Sequence, residues 1–136
     1  MKRITAIACT VFLVLTMGAV LGCGGSEGSG RTPSEVVDAY MRATIDRDVD
    51  TAYDLMSEDD RKLITKEQMK EMAGGGLEGL DISYTIGEEI IDGDTASVEV
   101  SLTVTDKETG ESDEGTDRLN LVKESGEWKI SLGDGL

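Results

Sequence analysis

The segment Asp46-x-Asp48-x-Asp50 has the alternating carboxylates that open a calcium-binding loop. In such a loop the sixth position is a glycine that makes a sharp turn, and the twelfth is a bidentate glutamate that completes the coordination. Here these positions are Thr51 and Ser57. We therefore interpret the segment as a polar connection between two helices, with an aspartate capping the second helix.

A glycine-rich segment from Gly74 to Gly79 formally matches the G-x-G-x-x-G pattern of dinucleotide-binding proteins. That pattern requires a strand before it and a helix after it, so that the pyrophosphate meets the helix N-terminus. Here a helical pattern precedes the glycines and a strand pattern follows them, and no Lys-Ser or Lys-Thr pair indicates a P-loop. We predict a connection between a helical half and a β half, and we expect neither a metal nor a cofactor.

The amino-acid composition excludes further classes of function. The 136 residues include no His, 13 Lys and Arg, 28 Asp and Glu, and two Cys, for a formal net charge of −15. Without His, imidazole-based triads and His-ligated metals are excluded. The excess of negative charge argues against nucleic acid as a partner, because phosphate binding needs a basic surface. The length fits one domain, and two cysteines exclude a disulfide-dense scaffold.

The N-terminus predicts export. Lys2 and Arg3 precede an apolar run over residues 4–15, which is the layout of a secretory signal peptide. An uncleaved transmembrane anchor over residues 4–21 is the alternative, since this stretch has the minimum length for crossing a bilayer. We favour the cleaved peptide because small residues and a cysteine follow the apolar run.

The sequence Val20-Leu21-Gly22-Cys23 resembles the lipobox of bacterial lipoproteins. The resemblance implies cleavage before Cys23 and acylation of its thiol and new amino group, which anchors the chain in a membrane. Residues 1–22 are then the signal peptide, 23–31 the lipidated cysteine and a flexible Gly/Ser tether with a reach of roughly 16 Å, and 32–136 the domain. We predict an extracytoplasmic, membrane-anchored protein, on the outer face of the cytoplasmic membrane or facing the periplasm.

Four helices are predicted in the first half of the domain. The first follows the capping box Thr32-Pro33-Ser34-Glu35 and runs to about Asp46. The fourth spans residues 66–73 and ends at Gly74, for which we predict the left-handed conformation common at helix C-termini. The expected caps of the second, third and fourth helices are Asp48 or Asp50, Ser57, and Thr65.

The second half changes to a period of two, which is typical of strands. Short turns at Asp92-Gly93, Thr109-Gly110 and Ser125-Gly126 predict an antiparallel meander of four strands. The second strand, residues 95–105, is long enough to curl around a helix. The fold class is therefore α+β, with N-terminal helices packed on a curled antiparallel sheet. The alternating apolar residues are Ile82, Tyr84, Ile86, Val98, Val100, Leu102, Val104, Leu119, Leu121, Trp128, Ile130 and Leu132.

Residues 32–132 resemble the nuclear transport factor 2-like cone, a cystatin-like fold, and within it the small bacterial lipoproteins of unknown function. The resemblance rests on PSEVVDAY at 33–40, DTAYDLMS at 50–57 and GEWKIS at 126–131. It implies a cavity between the sheet and the helices. In enzymes of this fold, that cavity holds a carboxylate base and a hydrogen-bond donor, often Tyr, which stabilises an enolate.

The candidate cavity-lining residues are the aromatic residues of the mature chain, Tyr40, Tyr53, Tyr84 and Trp128. We expect no acidic residue at an inward strand position, because valines and leucines fill that face, and hence no catalytic residue. The predicted function is non-enzymatic binding of a small apolar ligand or an envelope protein. An isomerase-like or dehydratase-like enzyme with a buried carboxylate beside a Tyr, and a structural module that forms a homodimer, are the alternatives.

Overall fold

A computed structural model describes residues 30–75 and 77–133. The predicted signal peptide, its cleavage motif and Cys23 lie outside these residues. Four helices come first: α1 (Pro33–Ile45), α2 (Val49–Leu55), α3 (Glu58–Leu63) and α4 (Lys66–Ala73). Four strands follow: β1 (Leu80–Asp92), β2 (Thr95–Asp106), β3 (Ser112–Glu124) and β4 (Glu127–Ser131). Among the described residues, no helix is long and apolar enough to cross a membrane.

The helices begin where the capping residues predict. The side chain of Thr32 accepts from the N–H of Glu35, whose carboxylate accepts from the N–H of Thr32 in return. Asp48, one of the two predicted candidates, caps α2. The prediction that Gly74 adopts the left-handed conformation is wrong, because its φ is −70°. Its N–H still bonds the carbonyl of Lys70, so the helical geometry continues through this residue.

The strands form one antiparallel sheet in the order β1-β2-β3-β4, as the short turns predict. A bulge interrupts the pairing of β1 with β2 between Ile86 and Glu89. The third strand begins at Ser112, well before the apolar residues that identify it in the sequence. The fourth ends at Ser131, one residue before the predicted Leu132. This difference arises because the N–H of Leu132 donates to the carboxylate of Asp60 and not to a strand.

Helix α1 packs across the inner face of the sheet, against β1, β2 and β4. The segment after α2 joins the sheet as well, since Met56 forms a bridge with Ile130 and the N–H of Ser57 donates to the carbonyl of Ile130 at 2.7 Å. The helical layer is therefore held to the sheet by backbone hydrogen bonds and by apolar packing. The central buried cluster consists of Val36, Val37, Leu55, Ala96, Val98, Val100, Leu121 and Ile130.

The prediction that no acidic residue occupies an inward strand position is wrong. Residues directly opposite each other on paired strands share a face, and three acidic residues lie opposite the inward valines of β2. The pairs are Glu89 with Val98, Asp113 with Val104, and Asp117 with Val100. All three carboxylates are exposed, which makes their charge tolerable on this face. Glu89 also accepts hydrogen bonds from the backbone and the hydroxyl of Ser34 at the start of α1.

Candidate functional site

A groove of about 390 Å³ lies beside Trp128, between the start of α1, helix α2 and strand β4. Its apolar lining residues are Val36 and Leu55, which are both buried, and Trp128, which is half-buried. The chain enters the domain here, because Gly30 and Arg31 form part of the wall. The other lining residues are Thr51, Asp54, Glu127 and Lys129.

Lys129 connects two other residues that line the groove. Its ammonium group donates to the backbone carbonyl of Asp54 at 3.0 Å and lies 3.5 Å from the carboxylate of Glu127. On another side, the ammonium group of Lys123 lies 5.5 Å from the centroid of the Trp128 ring, within cation–π distance. The groove is thus bordered by both signs of charge, and Val36, Leu55 and Trp128 are the lining residues that could contact an apolar group.

A second polar site lies at the start of α3, where Ser57 and Asp60 are each only 3% exposed. One carboxylate oxygen of Asp60 accepts from the hydroxyl of Ser57 at 2.7 Å and from the N–H of Leu132 at 2.9 Å. Burial raises the pKa of Tyr40, a hydrogen bond with Thr44 partly offsets this, and the negative charge of Asp60 raises it further. Sequence reasoning recognised the cap but missed that the carboxylate is buried.

Tyr84 connects β1 to α1. Its hydroxyl donates to a carboxylate oxygen of Asp38 at 2.8 Å, and the other oxygen of Asp38 pairs with Arg42 at 3.0 Å. Burial and the hydrogen bond to Asp38 raise the pKa of Tyr84, while Arg42 lowers it. The hydrogen bond from Tyr84 to Asp38 joins β1 to α1 and so holds the helix against the strand.

The four candidate aromatic residues do not surround one cavity in the described part of the chain. Tyr40, Tyr84 and Trp128 pack against the same core cluster, but only Trp128 borders the groove. Tyr53 lies among the helices, where its hydroxyl donates to the carbonyl of Arg61 and Lys66 lies 5.3 Å from its ring centroid.

The aspartates of the calcium-like segment make other contacts. Asp48 accepts from the backbone and hydroxyl of Thr51, which lowers its pKa. Asp50 pairs with Lys66 at 2.9 Å, which lowers the pKa of Asp50. Within residues 30–75 and 77–133, no group of three or more His, Cys, Asp or Glu residues is arranged to hold a metal ion. The glycine-rich segment connects α4 to β1, which is the reverse of the dinucleotide-binding order.

No protein-family model and no curated protein matches this chain. Solved structures do match. A SEC-C motif containing protein from Rhodopseudomonas palustris superposes with a TM-score of 0.60 and 17% identity, over 74% of this chain and 75% of that one. A protein of unknown function with a cystatin-like fold from Nostoc punctiforme gives 0.51 and 18%, over 71% of this chain and 80% of that one.

A ketosteroid isomerase-like protein from Erwinia carotovora gives a TM-score of 0.50 and 22% identity, over 71% of this chain and 85% of that one. Identities this low show the fold alone, and a fold does not fix a function. The helices, the four-stranded antiparallel sheet and these structural matches agree with the resemblance seen in the sequence. The chain has the α+β cone fold of nuclear transport factor 2-like and cystatin-like proteins.

Proposed function

We propose that this chain is a lipid-anchored extracytoplasmic domain that binds a small apolar ligand or an apolar segment of an envelope protein, without catalysis, in the groove beside Trp128. The observation that carries the proposal is a groove lined by Val36, Leu55 and Trp128 and bordered by side chains of both charges. Ligand sites in proteins are commonly apolar concavities with a few polar groups at their edge.

The filled centre of the domain supports the groove as the place of binding. Val37, Val98 and Ile130 are fully buried, and Met56 and Leu121 are 1% exposed. Side chains from the helices and the sheet thus occupy the space in which cone-fold enzymes keep a cavity. A ligand at that centre would have to displace core side chains, which typically costs several kcal/mol, whereas the groove is open.

The single tryptophan makes the groove measurable. In the full chain, we expect the fluorescent apolar probe 1-anilinonaphthalene-8-sulfonate to accept excitation energy from Trp128 and to bind at one saturable site. Trp128→Ala should weaken binding of the probe at least tenfold, as measured by its own fluorescence. Leu63→Ala is the matched control, because Leu63 is an apolar residue 68% exposed on α3 and outside the lining of the groove. Equal binding by Trp128→Ala and the unsubstituted chain would exclude the groove.

Native mass spectrometry of the protein extracted gently from its own membranes tests the natural occupant. A reproducible added mass that disappears in Trp128→Ala would identify the ligand. If the monomer carries no added mass, and a dimer without added mass forms at higher protein concentration, ligand binding would be contradicted and the structural homodimer favoured.

The lipid anchor has its own test. Cys23→Ser removes the predicted acylation site, so we expect the protein either to be released from the membrane fraction or to remain unprocessed. Unchanged retention in the membrane, with unchanged mass, would favour an uncleaved helix. This experiment does not depend on what the groove binds.

An isomerase-like enzyme is the second candidate, and the buried Asp60 near Tyr40 is the observation that favours it. Against it, one carboxylate oxygen of Asp60 already accepts two hydrogen bonds from the fold. A β,γ-unsaturated ketone serves as the probe substrate, and its conjugated product is followed by absorbance. Under our proposal the rate does not exceed that in buffer. A catalysed rate that Asp60→Asn abolishes while the variant stays folded would establish the enzyme instead.

A further inference from the structure

The first half of β3 forms an open edge of the sheet. β3 pairs with β2 from Ser112 to Val122, but it pairs with β4 only from Asn120 to Glu124. Within the described residues, no strand pairs with the outer side of residues 112–119. We call these eight residues the β3 edge. An exposed strand edge offers unpaired N–H and C=O groups to another chain.

The direction of these backbone groups follows from the hydrogen bonds at both ends of β3. The N–H of Lys123 donates to the carbonyl of Asp94, and the carbonyl of Glu111 accepts from the N–H of Asp106. Odd-numbered residues of β3 therefore turn their backbone groups toward β2, and even-numbered residues turn theirs outward. At the β3 edge, the outward residues are Ser112, Glu114, Thr116 and Arg118. The N–H of Arg118 already donates to the side chain of Asp117 at 2.8 Å.

The inward-facing residues of the β3 edge are two aspartates with a glycine between them. Asp113 and Asp117 flank Gly115, and all three are exposed. Apart from Gly115 itself and its two neighbours in the chain, no heavy atom of the described residues lies within 4 Å of the position that a Cβ of Gly115 would occupy. Opposite Gly115 on β2 lies Leu102, which is half-buried. A bulky apolar side chain on an added strand could cover the glycine and contact Leu102, as aromatic residues do beside strand glycines.

The edge formed by β1 differs from the β3 edge. The edge strand β1 is interrupted by the bulge between Ile86 and Glu89, and bulges obstruct the addition of a further strand. The β3 edge has no register shift along its pairing with β2. The negative charges of the β3 edge restrict which strands can pair with it. Acidic side chains repel a second copy of a chain with net charge −15 and attract a basic strand.

We propose that the β3 edge binds an extended segment of a partner protein by strand addition. The segment carries basic residues opposite Asp113 and Asp117 and a bulky apolar residue opposite Gly115. Its inward pattern is basic, apolar, basic at alternate positions, and the pattern reads the same in both strand directions. This interaction surface goes beyond the groove beside Trp128 and does not depend on it.

The test uses the full chain and the peptide acetyl-Thr-Lys-Thr-Phe-Thr-Lys-Thr-amide. We expect binding by isothermal titration calorimetry, at least tenfold weaker in 0.5 M NaCl because exposed ion pairs are screened. The same peptide with Glu in place of Lys should not bind. Slowed amide hydrogen exchange at Glu114 and Thr116 should accompany binding. Equal binding of both peptides, or protection on β1 instead, would overturn the proposal.

Thr116→Pro removes an outward N–H that no hydrogen bond of the described sheet uses, and Pro is tolerated in this position of an edge strand. We expect it to weaken peptide binding at least tenfold. Thr116→Val is the matched control, because both variants lose the hydroxyl that bonds Ser101 but Val keeps the N–H. If Thr116→Pro fails to fold, the double variant Asp113→Asn with Asp117→Asn takes its place, and it should also weaken binding tenfold. If the full chain forms a dimer through the β3 edge, the proposal of a basic partner protein would be overturned, and the partner would be a second copy of this chain.

Discussion

Replacing Asp60 by Ala should destabilise the domain strongly. The substitution leaves the hydroxyl of Ser57 and the N–H of Leu132 without their acceptor in a place where Asp60 is only 3% exposed. An orphaned buried donor costs about 1–3 kcal/mol, and hydrogen bonds to charged groups are the stronger ones. We therefore expect Asp60→Ala to lower the free energy of unfolding by about 3–5 kcal/mol. For a domain of this size, that corresponds to a Tm lower by at least about 12 °C.

Urea unfolding followed by the fluorescence of Trp128 and by circular dichroism measures this loss. Asp60→Asn keeps an oxygen that can accept both hydrogen bonds but removes the negative charge that strengthens them, so we expect about half the effect. The control is Asp59→Ala next to it, since the side chain of Asp59 is 91% exposed and its ion pair with Lys62 contributes less than about 1 kcal/mol. A loss below 1 kcal/mol for Asp60→Ala would refute the argument that Asp60 holds the C-terminal end of the sheet to α3.

Contacts of β1 and β4 with the helices give three further expectations. Glu89→Gln should lower the free energy of unfolding by about 1 kcal/mol in urea, because the backbone N–H and hydroxyl of Ser34 both donate to this carboxylate at the start of α1; a Ser34→Ala background should largely remove the effect. Lys129→Met should cost about 0.5–1 kcal/mol, since the ammonium donates to a carbonyl in the last turn of α2, and an unchanged urea midpoint would contradict this. The pKa of Tyr84 is raised in the folded state, which means that folding favours the neutral phenol. The contribution of this phenol to the stability of the domain is therefore complete below the ordinary pKa of 10.0 and is lost as pH rises through the folded pKa. Part of the alkaline loss of stability should therefore be absent from Tyr84→Phe, in which Asp38 has no phenol to bind.

The sequence predicts those parts of the fold that local chemistry determines. Thr32 and Thr65 start helices because their side chains bond the backbone three residues ahead. The alternation around Val98 predicts a strand because one face of the sheet is apolar. These signals require no knowledge of distant parts of the chain.

Long-range contacts determine what the sequence did not predict. The first residues of β3 have no apolar alternation, and they form a strand because β2 pairs with them along their whole length. Asp60 lies in a segment with the pattern of an exposed cap, and it is buried because Leu132, 72 residues later, is placed against it. The groove likewise depends on residues from α1, α2 and β4 that are far apart in sequence. No local pattern indicates such a meeting.

The chain enters the domain beside one end of the sheet, where Gly30 approaches the carbonyl of Gly126 in the turn between β3 and β4. Strand β2 has 12 residues, so the opposite end of the sheet is about 37 Å away. With a lipid at Cys23 and a tether of roughly 16 Å, the end of the sheet beside Gly126 would be the end nearer the bilayer. The acidic turn before Ser112 would be its outermost point, repelled by anionic headgroups. The groove would then lie at the end nearer the membrane, and the β3 edge would extend from about 25 Å to about 50 Å above the bilayer surface.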